Sequence, residues 1–259
     1  MIPLADTHAH LCDESFYSDL SEVLERAQER GVAAIVAVSE AVEDVHQTLA
    51  LANQYPGLVR PAAGLFPAIV DLDQASEVEV LIRKNRDALV AIGEVGLDLW
   101  KIQDSAEREI QRAIFGALIE LAIELNLPLN VHSRSAGRQT IDLLLEKGAK
   151  RVQMHAFDGR AAKALPGVEA GFYFSVPPSV VRSPQKQKLV RRLPLSCLLV
   201  ETDSPVLGED PNLRNEPANV NVSVCAIAEL KGLSEQEVRQ ATSENAVRLY
   251  GEALFGSAA

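Results

Sequence analysis

The chain has 259 residues, 47% hydrophobic and 24% charged, with 25 basic against 36 acidic side chains and a formal charge of −11. This composition excludes a disordered chain, a collagen and a disulfide-stapled miniprotein, and the length allows a sizeable core. So acidic a surface also excludes a protein that coats nucleic acid, but not one that cleaves a phosphodiester where bound metal supplies local positive charge.

The N-terminus, Met1 to Asp6, lacks the basic and apolar regions of a signal peptide. No uncharged apolar run approaches the ~18–20 residues that span a membrane. Cys12, Cys197 and Cys225 are odd in number, far apart and without a C-x-x-C pair, which suits free thiols in a reducing compartment and disfavours a cysteine zinc site. The expectation is a cytoplasmic protein without membrane contact.

The first apolar run, Ile2–Ala5, leads into Asp6-Thr7-His8-Ala9-His10. A helix from Leu20 to Arg30 stops at Gly31, the residue favoured just past a helix end. The runs Val32–Val38 and Val59–Ala63 follow, the latter entering Gly64-Leu65-Phe66-Pro67, and then Leu89–Ile92 enters Gly93-Glu94. Asp104 and Glu107 have the spacing of a helix cap, followed by Ile110, Ile114, Leu118, Leu121 and Leu125 at helical period. Pro128 ends that helix and opens Leu129–Val131, which delivers His132. Val152–Met154 delivers His155, and Phe172–Val176 and Leu198–Val200 complete the set, the last entering Glu201-Thr202-Asp203. Two helices, Val220–Leu230 and Ser234–Tyr250, close the chain.

Eight short apolar runs alternating with amphipathic helices predict a (β/α)8 TIM barrel in which residues 1–259 form a single domain. The rival open doubly wound sheet lacks its glycine fingerprint. Four of the five histidines, His8, His10, His132 and His155, fall at strand ends, on the face where barrel enzymes build their sites. Residues i and i+2 of a strand share a face, so His8 and His10 can reach one ion. Either histidine could instead be a polar residue where strand meets loop, and Asp203 before Ser204-Pro205 could cap a helix. Glu94 and Asp203 are carboxylates carried to strand mouths by apolar runs, which is expensive unless they are paired or metal-bound. Together the six predict a metal centre at the C-terminal face. Imidazoles with carboxylates suit zinc, or manganese or iron, better than calcium. Six donors exceed what one tetrahedral ion needs, whereas two ions bridged by a carboxylate and a water use them all.

At these residues the chain resembles the TatD-type metal-dependent hydrolase and deoxyribonuclease family of the amidohydrolase superfamily, over Ile2 to about Tyr250. The motifs are D-x-H-x-H at Asp6–His10, G-E-x-G-L-D at Gly93–Asp98, V-H-S-R at Val131–Arg134, H-A-F at His155–Phe157 and E-T-D-S-P at Glu201–Pro205. The stretches from Asn130 to Arg138 and from Arg214 to Pro217 are most similar to the branch typified by TatD domain-containing protein three. The resemblance implies that His8, His10, Glu94 and Asp203 hold one ion, and that Glu94, His132 and His155 hold a second. It also implies DNA hydrolysis. One motif departs: where the family has G-x-H-P, this chain has Phe66, which neither ligates metal nor donates to a phosphate.

The resulting expectation is hydrolysis of a phosphodiester, in DNA or a small molecule, by a metal-activated water on two divalent ions (zinc, or Mg, Mn or Fe). Asp203 and Glu94 are the catalytic carboxylates, with Asp203 taking the water's proton. The alternative is a small phosphate ester, lactone or amide at the same centre. Arg134, Arg214 and Phe66 are the candidate substrate contacts: Arg134 to hold a phosphate, with Arg214 and Arg182 as weaker candidates of the same kind, and Phe66, like Trp100, to stack on a base. Lys186, Lys188, Arg191 and Arg192 read as a solvated helix face away from the strand mouths. No obligate protein partner is evident, and the expectation is a monomer.

Overall fold

Near-continuous Val, Ile, Leu and Ala runs are too apolar for a strand with one wet face, and they pair in parallel beneath covering helices. In the computed structural model, which describes residues 2–256, eight such strands lie in sequence order: β1 (Leu4–Ala9), β2 (Val32–Ala37), β3 (Val59–Ala63), β4 (Ala91–Gly96), β5 (Leu129–His132), β6 (Val152–Met154), β7 (Tyr173–Val176) and β8 (Leu198–Val200). Residue 1 and residues 257–259, the ends of the expected 1–259 domain, lie outside the described residues. Each strand is parallel to the next. The last joins the first through Asp203 N–H donating to His8 O (2.9 Å) and His10 N–H to Ser204 O (2.8 Å). The predicted TIM barrel is the observed fold.

Helices cover the outside: α1 (Leu20–Glu29), α2 (Val42–Gln54), α3 (Leu72–Asn85), α4 (Ser105–Leu125), α5 (Gly137–Glu146), α6 (Ala161–Glu169), α7 (Pro184–Arg192), α8 (Val220–Lys231) and α9 (Glu235–Tyr250). Asp104 caps α4 by accepting from Ala106 N (2.8 Å) and Glu107 N (3.0 Å). Ser234 and Glu237 form a reciprocal capping box on α9. The helices bury their apolar faces on the outside of the sheet, while small strand residues, Ala34, Ala62 and Ala91, cluster with Leu249, Tyr250 and Leu254 from the C-terminal segment.

Two strands extend four residues beyond their apolar runs. β1 continues through Asp6, Thr7 and His8, all buried. The side chains of Asp6 and Thr7 are satisfied across the closure: Thr202 donates to Asp6 through N–H (2.8 Å) and its hydroxyl, and the Thr7 hydroxyl donates to Val200 O (2.9 Å). β4 runs to Gly96, so Glu94 stands inside the strand rather than past its end. Here sheet and backbone approach so closely that a Cβ on Gly96 (φ +146°) would lie 2.1 Å from His132 O, and one on Gly64 2.4 Å from Glu94 O.

Candidate metal centre

Five strands bring the six predicted donors to one point. His8 Nε2 and His10 Nε2 are 3.2 Å apart. Asp203 Oδ1 lies 3.2 Å from His10 Nε2 and 3.5 Å from His8 Nε2, and Glu94 Oε2 lies 3.6 Å and 4.0 Å from the same two atoms. The other oxygen of Glu94 faces a second group: Oε1 is 2.6 Å from His132 Nδ1 and 3.0 Å from His155 Nε2, with 3.2 Å between those imidazoles. Donors at ~2.0–2.1 Å around a tetrahedral ion stand about 3.3 Å apart. Both groups therefore have the spacing and chemistry of a metal shell, and the Glu94 carboxylate divides its oxygens between them.

The remaining ring nitrogens are fixed from outside. Asn130 donates through Nδ2 to Thr7 O (2.9 Å) and to the Tyr250 hydroxyl (3.1 Å), which turns its oxygen towards His8. His8 Nδ1–H donates to that oxygen at 2.8 Å, leaving the Nε2 lone pair for the centre. His132 Nε2–H donates to Asp98 Oδ2 at 3.2 Å, which likewise leaves Nδ1 facing Glu94. The Nδ1 of His155 is buried without a hydrogen bond, 3.9 Å from Glu201 Oε1.

Electrostatics follow from burial against neighbouring charge. Burial, reinforced by His155, pushes the His8 imidazole down to about 3, so it is neutral. For His10 burial is outweighed by the hydrogen bond to Asp203 and the charge of Glu94, which raise it to about 10. His132 is raised to about 9 against burial by Glu94 and Asp98. Burial opposes charge on Glu94 too, yet His132 and His155 hold it well below the usual carboxylate range. Without an ion, protons on His10 and His132 occupy the places where a cation would neutralise Glu94 and Asp203.

The centre forms part of the floor of a cavity of about 640 Å³. Among the expected substrate contacts, Phe66 and Arg134 are on its wall. Phe66 meets the His132 ring edge-on at 5.3 Å, and the Arg134 guanidinium lies 3.7 Å from the Trp100 ring centroid. Arg214 is not brought there. Its guanidinium donates to both Asp19 carboxylate oxygens (2.7 and 2.6 Å) and to Ser15 O (2.5 Å), against the Phe16 ring. Arg182 donates to Gly208 O. Lys186 departs from the reading as a solvated face: it stands on the first turn of α7, which begins at the mouth, and it donates to Ala156 O at 3.0 Å. Lys188, Arg191 and Arg192 are exposed as expected.

Sequence reasoning missed Asn130 and Asp98 as orienting groups. Asn130 had a signal, being an amide two residues before His132 in an otherwise apolar strand, hence on the same face. Asp98 closes the Gly93–Asp98 motif and accepts from Trp100 N (3.0 Å) and Lys101 N (2.7 Å) as well as from His132.

The profile of TatD related DNases matches residues 5–251. Human deoxyribonuclease TATDN3 is 45% identical over 263 residues, covering 96% of this chain and 95% of that one. The metal-dependent hydrolase YabD of Bacillus subtilis is 35% identical over 255 residues, covering 95% and 98%. Among solved structures, the TatD homolog YJJV of Escherichia coli superposes with a TM-score of 0.88 at 28% identity, covering 96% of this chain and 99% of that one.

Proposed function

The chain belongs to the TatD-related DNase family, and from that premise we propose that it is a metal-dependent deoxyribonuclease in which His8, His10, Glu94 and Asp203 hold one divalent ion and Glu94, His132 and His155 a second. The observation that carries this reading is the Glu94 carboxylate, one oxygen facing each donor group. Zinc suits the donors best, with Mg, Mn or Fe as alternatives. When bound, the ions lower the pKa of a water towards ~7 and neutralise charge on phosphoryl oxygens.

The chain's own residues supply the remainder. Asp203 is buried, yet its hydrogen bond with His10 and the charge of the nearby imidazoles hold its pKa below the ordinary value. It is therefore ionised at neutral pH, and it takes the attacking water's proton on its carboxylate. Asn130 and Asp98 fix His8 and His132 so that no reorientation accompanies the reaction. Arg134 orients a phosphate from the wall. We read residues 1–259 as one hydrolase domain, acting as a cytoplasmic monomer. Among the described residues no helix is long and apolar enough to cross a membrane. The net charge of −11 favours a second reading, in which the same centre hydrolyses a small phosphate ester, lactone or amide.

The test is release of labelled product from a short single-stranded DNA across Mg²⁺, Mn²⁺ and Zn²⁺. Asp203 lies at φ +56°, a conformation asparagine tolerates. Asp203→Asn should therefore keep the native circular dichroism and lose about 10²–10⁴-fold in turnover, the size of a general-base contribution. Near-normal turnover in the variant would remove Asp203 from the mechanism. No cleavage by the wild type with any metal, but cleavage of a small chromogenic ester, would establish the second reading.

A further inference from the structure

Three cations on the cavity wall lack carboxylate partners. Lys101, Arg134 and Lys186 line it, and among the described residues none forms an ion pair within 4.0 Å. Several basic side chains elsewhere do pair, among them Arg26 with Glu216, Arg83 with Glu124, and Arg214 with Asp19. Of the wall's acids, Asp158 accepts from Ser135 N (2.7 Å) and Glu40 faces His10 Nδ1 (3.8 Å), and neither comes within 4.0 Å of these cations. In a chain with 36 acidic side chains against 25 basic ones, three unpaired cations around one cavity are poised for an anion from outside.

Each is steadied by a group that leaves its charge unneutralised. The Lys101 ammonium lies 4.6 Å from the centroid of the Phe66 ring, Arg134 rests on Trp100, and Lys186 spends one of its donors on Ala156 O. A cation on an aromatic face keeps its full charge. The turn bearing Trp100 and Lys101 is itself fixed, because Asp98 Oδ1 accepts both backbone N–H groups while Oδ2 holds His132.

We infer that Lys101, seated on Phe66, together with Arg134 and Lys186, binds the phosphates flanking the scissile one, so that the preferred substrate is a strand carrying several phosphates rather than a single small ester. The inference rests on the nuclease reading. It gives Phe66 a role that the residue alone cannot supply: the ring is a positioning residue, and Lys101 is the group that touches phosphate.

The test is fluorescence anisotropy with the metal-loaded protein and two labelled pentathymidylates. One has phosphorodithioate linkages, which keep one charge each and resist cleavage, and the other has uncharged methylphosphonate linkages. Three contacts to a single strand predict a slope of log affinity against log salt of about −2, from roughly 0.7 per contact. Lys101→Met, Arg134→Met and Lys186→Met should each weaken the charged strand about three- to tenfold and flatten its slope by about 0.7, leaving the uncharged strand unaffected. Phe66→Leu should weaken the charged strand alone, with no further effect in the Lys101→Met background. Equal weakening of both strands by Phe66→Leu would make the ring a base-stacking surface and overturn its positioning role. Charged-strand binding that ignores all three cation substitutions would overturn the inference outright. Cleavage of ordinary pentathymidylate, assayed alongside, separates that result from failure of the nuclease reading.

Discussion

At the scale of single residues, the centre depends on side chains that never face its cavity. Asn130 is buried, and its amide is held by Thr7 and Tyr250 while it accepts from His8. Outer partners of this kind are worth about 10–100-fold in metal affinity. Asn130→Ala should weaken binding by that factor in competition with a chelating dye, and unchanged affinity would leave the amide only a packing role. Protonation supplies a second expectation. With folded values of about 10 for His10 and about 9 for His132, both imidazoles are charged at pH 7.5 in the metal-free chain, and loading must expel their protons. Calorimetry in buffers of different ionisation enthalpy should register net proton release at that pH. Because both values lie above the ordinary imidazole value of 6.5, their contribution to metal-free stability is complete below about pH 6.5 and is lost as pH rises through 9 to 10. Melts of the metal-free protein across that window should fall; a flat profile would contradict the raised values.

At the scale of elements, what hydropathy could read and what it could not divide at β1 and β4. The runs Val59–Ala63, Val152–Met154 and Leu198–Val200 coincide with β3, β6 and β8, since buried apolar strands advertise themselves. β1 hid its second half because Asp6, Thr7 and His8 are polar and yet buried, Asp6 and Thr7 satisfied by Thr202 and Val200 almost two hundred residues away and His8 by Asn130. β4 hid its end behind Gly93, Glu94 and Gly96. The donors were legible as types at strand ends, but the orienting role of Asn130 and the outward tether of Arg214 depend on partners that adjacency in sequence does not reveal. The close contact of Gly64 with the β4 backbone also has a measurable consequence. A methyl at Gly64 would force Glu94 O from 2.4 Å, and overpacking against backbone costs about 1–3 kcal/mol. Gly64→Ala should lower the urea midpoint accordingly and weaken metal binding through Glu94, whereas Gly57→Ala, where a Cβ meets nothing within 4 Å, should leave metal affinity alone.

For the whole molecule, the centre joins β1, β4, β5 and the segments after β6 and β8, so an ion there would link strands from both halves of the barrel. A ligand present at a hundred times its dissociation constant stabilises the folded state by about 2.7 kcal/mol. Removing metal with a chelator should therefore lower the melting temperature, and restoring it should reverse the shift. Asp203→Asn should show a smaller shift than the wild type, because one donor has lost its charge. A chelator that leaves the wild-type melt unmoved would argue that the donors hold no ion in the folded protein.

Trp100 is the sole tryptophan in 259 residues, and it sits half-exposed beside the cavity, 55% accessible, with the Arg134 guanidinium on its face. Selectively excited indole emission from this protein thus comes from one place, against Arg134 of the cavity wall. The enzyme carries its own optical reporter: a nucleobase or phosphate that draws Arg134 away alters the quenching of that single fluorophore, so occupancy of the mouth can be followed in real time without a label on either partner.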